Sequence, residues 1–279
     1  MRHYARYLVL VGLLLAIGLV LFIAGAPRIV IVGIVPQHSS TVLSRQWNPI
    51  LRHLSEETDY WLVFRPAPSI PVFEERLFNG RYDIAYMNPY HYVVAHEEVG
   101  YQAFARQKNE RIQGIMVVQR DAPFNNLAEL GNRTLAFPSP HAFAASILTR
   151  SHLKQAEIPY SANYLSSHDK VYRSVAYGHY PAGGGIMRTL DQVSPSIRQQ
   201  LRVLWKSKEY TPHAIAAHPD LQPDFLFQLQ KAMVRMSQSD KGRELLAGVE
   251  FEGIVTAQDS DWDDIRELDV KAVTNNPVR

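Results

Sequence analysis

Short apolar runs alternate with segments of helical spacing through the first hundred residues, and this alternation limits the fold more than any other feature. Residues 28–35 (RIVIVGIV) form a β-branched run suited to a strand buried on both faces. Pro36-Gln37 ends it, and residues 47–57 carry Trp47, Ile50, Leu51 and Leu54 on one helical side. Residues 60–65 read as the next strand and 72–79 as a helix closed by Gly80. Residues 82–86 alternate as a third strand, and a turn at Met87-Asn88-Pro89 opens another helix. The order β-α-β-α-β-α predicts an α/β protein with a mainly parallel sheet and helices on both faces.

The pattern then restarts. Residues 114–119 and 134–137 read as strands, with a short helix at 126–130 between them and a longer one at 142–156 beyond. A further helix spans 169–177 before Gly178, strands follow at 201–205 and 214–217, and helices at 223–237 and 240–247 complete the chain. Two α/β lobes account for this better than one long sheet, a single doubly wound domain being the alternative. The crossings fall near residues 119–123 and 207–212, which gives a first lobe of 28–119 plus 210–279 and a second of 120–209. A ligand of such a protein is expected in the cleft between the lobes.

The N-terminus adds a constraint on location. Residues 7–26 (YLVLVGLLLAIGLVLFIAGA) carry no charge and match the ~20 apolar residues that span a bilayer. Arg2 and Arg6 precede this run and Arg28 follows it, so residues 1–27 are expected to anchor the chain in the inner membrane as a single pass, with the body outside the cytoplasm. A cleaved signal peptide ending at Ala24-Gly25-Ala26 competes with the anchor, although Pro27 would follow the cut. Both place the body in the periplasm or outside the cell.

Composition excludes several classes. A net charge of +2 without a basic stripe gives no case for nucleic acid. The absence of cysteine rules out disulfides, thiolate metal sites, a cysteine nucleophile and a lipoprotein anchor. No Gly-x-Ser-x-Gly or His-Glu-x-x-His stands out, so neither an enzyme nor a cofactor is expected. Nor is a metal site, since His91 and His96 are five apart, as are His213 and His218, and read as scattered surface histidines.

Four stretches would line the cleft: residues 35–40 with Gln37, 88–92 with Asn88 and Tyr92, 138–142 with Ser139 and His141, and 166–169 with His168 and Asp169. The last two put hydroxyl and imidazole groups at helix N-termini, where unpaired N–H groups and the helix dipole favour an anion. Ser and Asp there are equally at home as ordinary N-caps.

Six pieces in order carry a family resemblance: GIVPQ, WNPILRHL, FNGRYDIAYMNPYHYVVA, LAELGNRTLAFPSP, SSHDKVYRSVAYGHYPAGGGI and DWDDIREL. Over about residues 29–268 the chain resembles the phosphate/phosphite/phosphonate-binding proteins of ABC uptake systems, a branch of the periplasmic-binding-protein type II fold. The resemblance implies an extracytoplasmic receptor that binds a small oxyanion and hands it to an ABC permease. It implies that Tyr92 contacts the ligand, so that Tyr92→Phe would weaken binding by about 1–3 kcal/mol. It also implies a pocket role for His168 and for the turn that begins at Ser139.

Two departures stand out. Relatives carry a Ser/Thr-Ser-Gly run where this chain has Ser139-Pro140-His141-Ala142-Phe143, so the oxyanion site is expected to be reorganised around His141. Where aminophosphonate binders place carboxylates, residues 182–188 read AGGGIMR, with Arg188 and no acid. The glycines Gly183 to Gly185 suit close backbone approach at a strand end. The competing functions are a membrane-anchored sensory or accessory protein that passes ligand occupancy to a kinase or membrane complex, and a scaffold that has lost its ligand.

Overall fold

The computed structural model of the chain describes residues 28–58 and 60–268, so the predicted membrane segment 7–26 lies outside the described residues. Among those described, no helix is long and apolar enough to cross a membrane.

Two sheets form. The first holds β1 (Arg28–Ile34), β2 (Tyr60–Phe64), β3 (Ile84–Met87), β4 (Gln102–Gln107), β10 (Ala214–Ala217) and β11 (Ile254–Thr256), in the order β11-β4-β10-β3-β1-β2. The second holds β5 (Ile115–Gln119), β6 (Arg133–Phe137), β7 (Tyr160–Tyr164), β8 (Ala182–Gly185) and β9 (Leu201–Lys206), in the order β7-β6-β8-β5-β9. The expected parallel pairings are present: β1 runs parallel to β2 and β3, and β6 runs parallel to β7 and β8. Both sheets are nonetheless mixed: in the first, β10 runs antiparallel between β3 and β4 and β11 antiparallel beside β4, and in the second β5 runs antiparallel between β8 and β9.

The strand at 115–119 therefore belongs to the second sheet, not to the first lobe that the sequence suggested. Its apolar run packs on both faces, Met116 and Val118 with Leu135 and Phe137, and Ile115 and Val117 with Tyr172 and Val175. Such a run fits a buried position in either sheet, so its sequence does not say which. The outward crossing lies near residues 108–114 and the return near 207–213. There Ile112 and Tyr210 exchange backbone hydrogen bonds of 2.9 and 3.0 Å, and Ser207 N–H donates to the Gly114 carbonyl at 2.8 Å.

The helices that feed the cleft start where their caps dictate. Helix α1 (Ser40–Glu56) begins seven residues before Trp47, because Ser39 caps it and Pro49 is carried inside the helix. Its buried stripe, Leu43, Trp47, Ile50, Leu51 and Leu54, extends the predicted face by one turn. Helix α2 (Ile70–Phe78) carries Glu74 toward the cleft rim. Helix α3 (Pro89–Val99) has Asn88 at its N-cap and Pro89 in its first turn, the position where a missing N–H costs least.

In the second lobe α4 covers residues 143–155 and opens with a π-helical turn, Phe143–Leu148, that no side chain caps. Helix α5 (His168–Ala176) is capped by Ser167, and the short α6 (Met187–Asp191) brings Arg188 back to the cleft. The glycines of β8 are a whole strand rather than a strand end. A Cβ on Gly184 would stand 1.9 Å from the Ala145 carbonyl oxygen, so the bare strand lets the first turn of α4 rest directly on the sheet.

Candidate functional site

The loop after β1, the start of α3 and the returning hinge segment face the starts of α4 and α5 across the cleft. Gln37, Asn88 and His213 on one side, with residues 142–145 and His168 on the other, line a small cavity of about 10 Å³. That is room for roughly one water. A tetrahedral oxyanion is larger than that space. Because α4 has no side-chain cap, its leading N–H groups are left to whatever fills the space before them.

Asn88 is the best-placed of the predicted residues. Its carbonyl oxygen accepts from the His91 N–H at 2.8 Å as an N-cap, while its amide donates across the cleft to the His141 carbonyl at 3.1 Å. Gln37 bridges two groups, with Nε2 at 3.1 Å from His213 Nε2 and Oε1 accepting from Arg188 at 2.9 Å. His168 is fully enclosed, its Nδ1 at 3.0 Å from Thr189 Oγ1, and burial first and the nearby His38 second push its pKa down to about 3. The same ring lines the cavity.

Two further predicted residues act at the rim. Asp169 accepts His38 Nδ1 at 3.0 Å from the other lobe, and His38 Nε2 meets Gln192 at 2.5 Å. His141 Nδ1 lies 3.2 Å from Glu74, which also holds His91 at 2.8 Å. Burial alone would raise the Glu74 carboxyl. The hydrogen bonds and charges of His141 and His91 outweigh it and bring the pKa down to about 2. These pairs tie the two sides of the cleft together and do not line the cavity. Ser139 is buried, and its hydroxyl has no partner among the described residues.

Tyr92 departs from expectation. It is wholly buried, its hydroxyl donates to Asp259 at 2.7 Å and accepts the Ala103 N–H at 3.3 Å, and its ring packs on Trp262 at 4.6 Å. Placed four residues after the N-cap, its side chain faces the core behind α3 and not the cleft. Tyr92→Phe is therefore expected to cost about 1 kcal/mol of folding stability and to leave ligand affinity unchanged; paired denaturant titration and calorimetry check this.

The structure also corrects the reading of the histidines. His91 and His213 are buried, and His213 stacks on Tyr86 at 5.0 Å while lining the cavity. Burial, with the Arg188 charge next, holds its pKa well below the usual imidazole value, so it stays neutral. The only sequence signal for His213 was its place at the returning hinge, two residues after Thr211 and one after Pro212.

Comparison with known proteins gives a consistent result. Residues 32–262 match the model of a family described as "ABC transporter, phosphonate, periplasmic substrate-binding protein". The phosphate-import protein PhnD of Mycolicibacterium smegmatis is 21% identical, over 88% of this chain and 86% of its own. PhnD1 of Prochlorococcus marinus, solved with methylphosphonate, superposes with a TM-score of 0.82 at 18% identity, covering 89% of this chain and 100% of that one. A binding-protein component of an ABC phosphonate transporter from Pseudomonas aeruginosa gives 0.79 at 16% identity, with 91% of each chain covered. At these identities the superpositions establish the fold.

Proposed function

Since the chain belongs to the family of periplasmic substrate-binding proteins of phosphonate ABC transporters, we propose that it captures a phosphonate or phosphate in the cavity before α4 and presents it to an ABC permease. Members of this family are substrate-binding components of transporters and not enzymes. The observation that carries the ligand assignment is the uncapped π-helical start of α4, aimed at a cavity bounded by Asn88, Gln37, His168 and His213. Backbone N–H groups and the helix dipole attract an anion there, and the neutral side chains supply hydrogen bonds rather than charge.

In this reading Asn88, Gln37 and His168 touch the ligand along with the N–H groups of residues 143–145. The unpartnered Ser139 hydroxyl on the same turn is the remaining donor available once the lobes part. His141 and Asp169 hold the closed lobes over the ligand through Glu74 and His38. The apolar run at 7–26 tethers this body to the outer face of the inner membrane.

A thermal-shift screen of the full-length chain in mild detergent tests the assignment. At a hundred times its dissociation constant a ligand adds about 2.7 kcal/mol, so methylphosphonate or phosphate should raise the melting temperature while acetate does not. No shift with any phosphorus oxyanion would sink it.

A further inference from the structure

Arg188 is a cation in the cleft whose partners are all neutral. It donates to the Tyr86 hydroxyl at 3.0 Å, to Gln107 at 3.3 Å and to Gln37 at 2.9 Å. The rings of Tyr86 and Phe251 lie 6.0 and 5.9 Å from its guanidinium carbon. Among the described residues no carboxylate comes within ion-pair distance of it. The contrast with nearby arginines is plain: Arg106 holds Asp261 at 3.1 Å and Arg111 holds Asp264 at 3.1 Å. A part-buried guanidinium is better satisfied by an ionised acceptor, and a carboxylate matches its planar fork.

The space around Arg188 shares walls with the cavity before α4. A second cavity of about 60 Å³ is lined by Arg188, Glu110, Gln107 and His213, which is room for roughly four waters. His213, Ile112 and Ile186 line both cavities, and Gln37 reaches from the first to the guanidinium. A ligand seated before α4 thus lies beside side chains that also border, or hydrogen-bond to, a cation.

We propose that the preferred ligand is a phosphonate carrying a second anionic group, a carboxylate on a short chain, which replaces the glutamine acceptors on Arg188. This rests on the receptor reading above and narrows its ligand class. The tetrahedral end takes the N–H groups of α4, and the carboxylate takes the guanidinium. Glu110 is the opposing feature, because it lines the same cavity and would favour an amine. Burial raises its pKa, and Arg188 offsets part of that rise.

Calorimetric titration of the full-length chain with phosphonoacetate, methylphosphonate and 2-aminoethylphosphonate decides the matter. Phosphonoacetate should bind tighter than methylphosphonate by about tenfold or more, the scale of a hydrogen-bonded charge pair. The amine-bearing ligand should bind weakest. Arg188→Gln should bring the phosphonoacetate-to-methylphosphonate ratio close to one, and Arg188→Lys should leave it intermediate; should the Gln variant not fold, the wild-type ratio and the Lys variant decide. Equal affinities for phosphonoacetate and methylphosphonate in the wild type would overturn the inference and keep the receptor. Tighter binding of 2-aminoethylphosphonate would also overturn it and assign that side of the cleft to Glu110. Binding of none of the three would overturn this inference, and the receptor reading would then stand or fall with phosphate in the thermal-shift screen.

Discussion

Gly184→Ala should remove a large part of the protein's stability. The added methyl would meet the Ala145 carbonyl oxygen at 1.9 Å and Phe137 Cδ1 at 2.8 Å. The first obstacle is backbone, so no rotamer change relieves it. Moving that carbonyl means moving the π-helical turn of α4, which rests on the same sheet face at the neighbouring strand too, where a Cβ on Gly114 would stand 2.3 Å from the Ala144 carbonyl. Overpacking of this kind costs about 3 kcal/mol or more, a large part of the ~5–15 kcal/mol by which a domain is stable. The measurement is the denaturant midpoint of the purified variant. A midpoint equal to that of the parent chain would mean that β8 and α4 are not in close contact, and the cavity described above would lose its back wall.

Acid should destabilise the protein well before the carboxylates titrate. His168 binds a proton near pH 6.5 when unfolded, but only at about pH 3 when folded, because burial disfavours the charged ring. Between those values the unfolded chain carries more protons, so stability rises with pH. The contribution is fully present above 6.5 and is lost as pH falls toward 3, on the order of 5 kcal/mol over the whole window. His213 acts in the same direction. Glu74, held at about 2 against an ordinary 4.5, adds a loss of the same sign below pH 4.5. Urea titrations at pH 7, 5.5 and 4.5 should show a falling midpoint, and His168→Asn should flatten that dependence. A midpoint constant from pH 7 to 4.5 in the parent chain would mean that the ring is hydrated or already charged when folded.

Much of this architecture is legible in the residues. The alternation of β-branched runs and helical stripes announces two α/β lobes, but not the antiparallel strands that make both sheets mixed. Asn88 followed by Pro89 marks the start of α3, because a side-chain acceptor and a residue without an N–H both belong at a helix N-terminus. His168 after Ser167 is found in the same way. Other features depend on partners remote in sequence. Tyr92 resembles a cleft phenol until Asp259, 167 residues later, takes its hydroxyl. The strand β7 (YSANY) is mostly exposed and β8 (AGGG) has almost no side chains, so neither shows a hydrophobic period. His213 becomes a site residue only because the return crossing passes under Tyr86.

The paired crossing segments carry a mechanical consequence. Ile112 and Tyr210 are tied by reciprocal backbone bonds, and Gly114 is tied to Ser207 beside them, so neither segment can swing without the other. Two such pins side by side define an axle. Rotation about it stays soft, while twisting and sliding would break the bonds. Opening is then expected to follow a single angular coordinate, which under the receptor reading proposed above would let a partner protein gauge the cleft as one angle without contacting it.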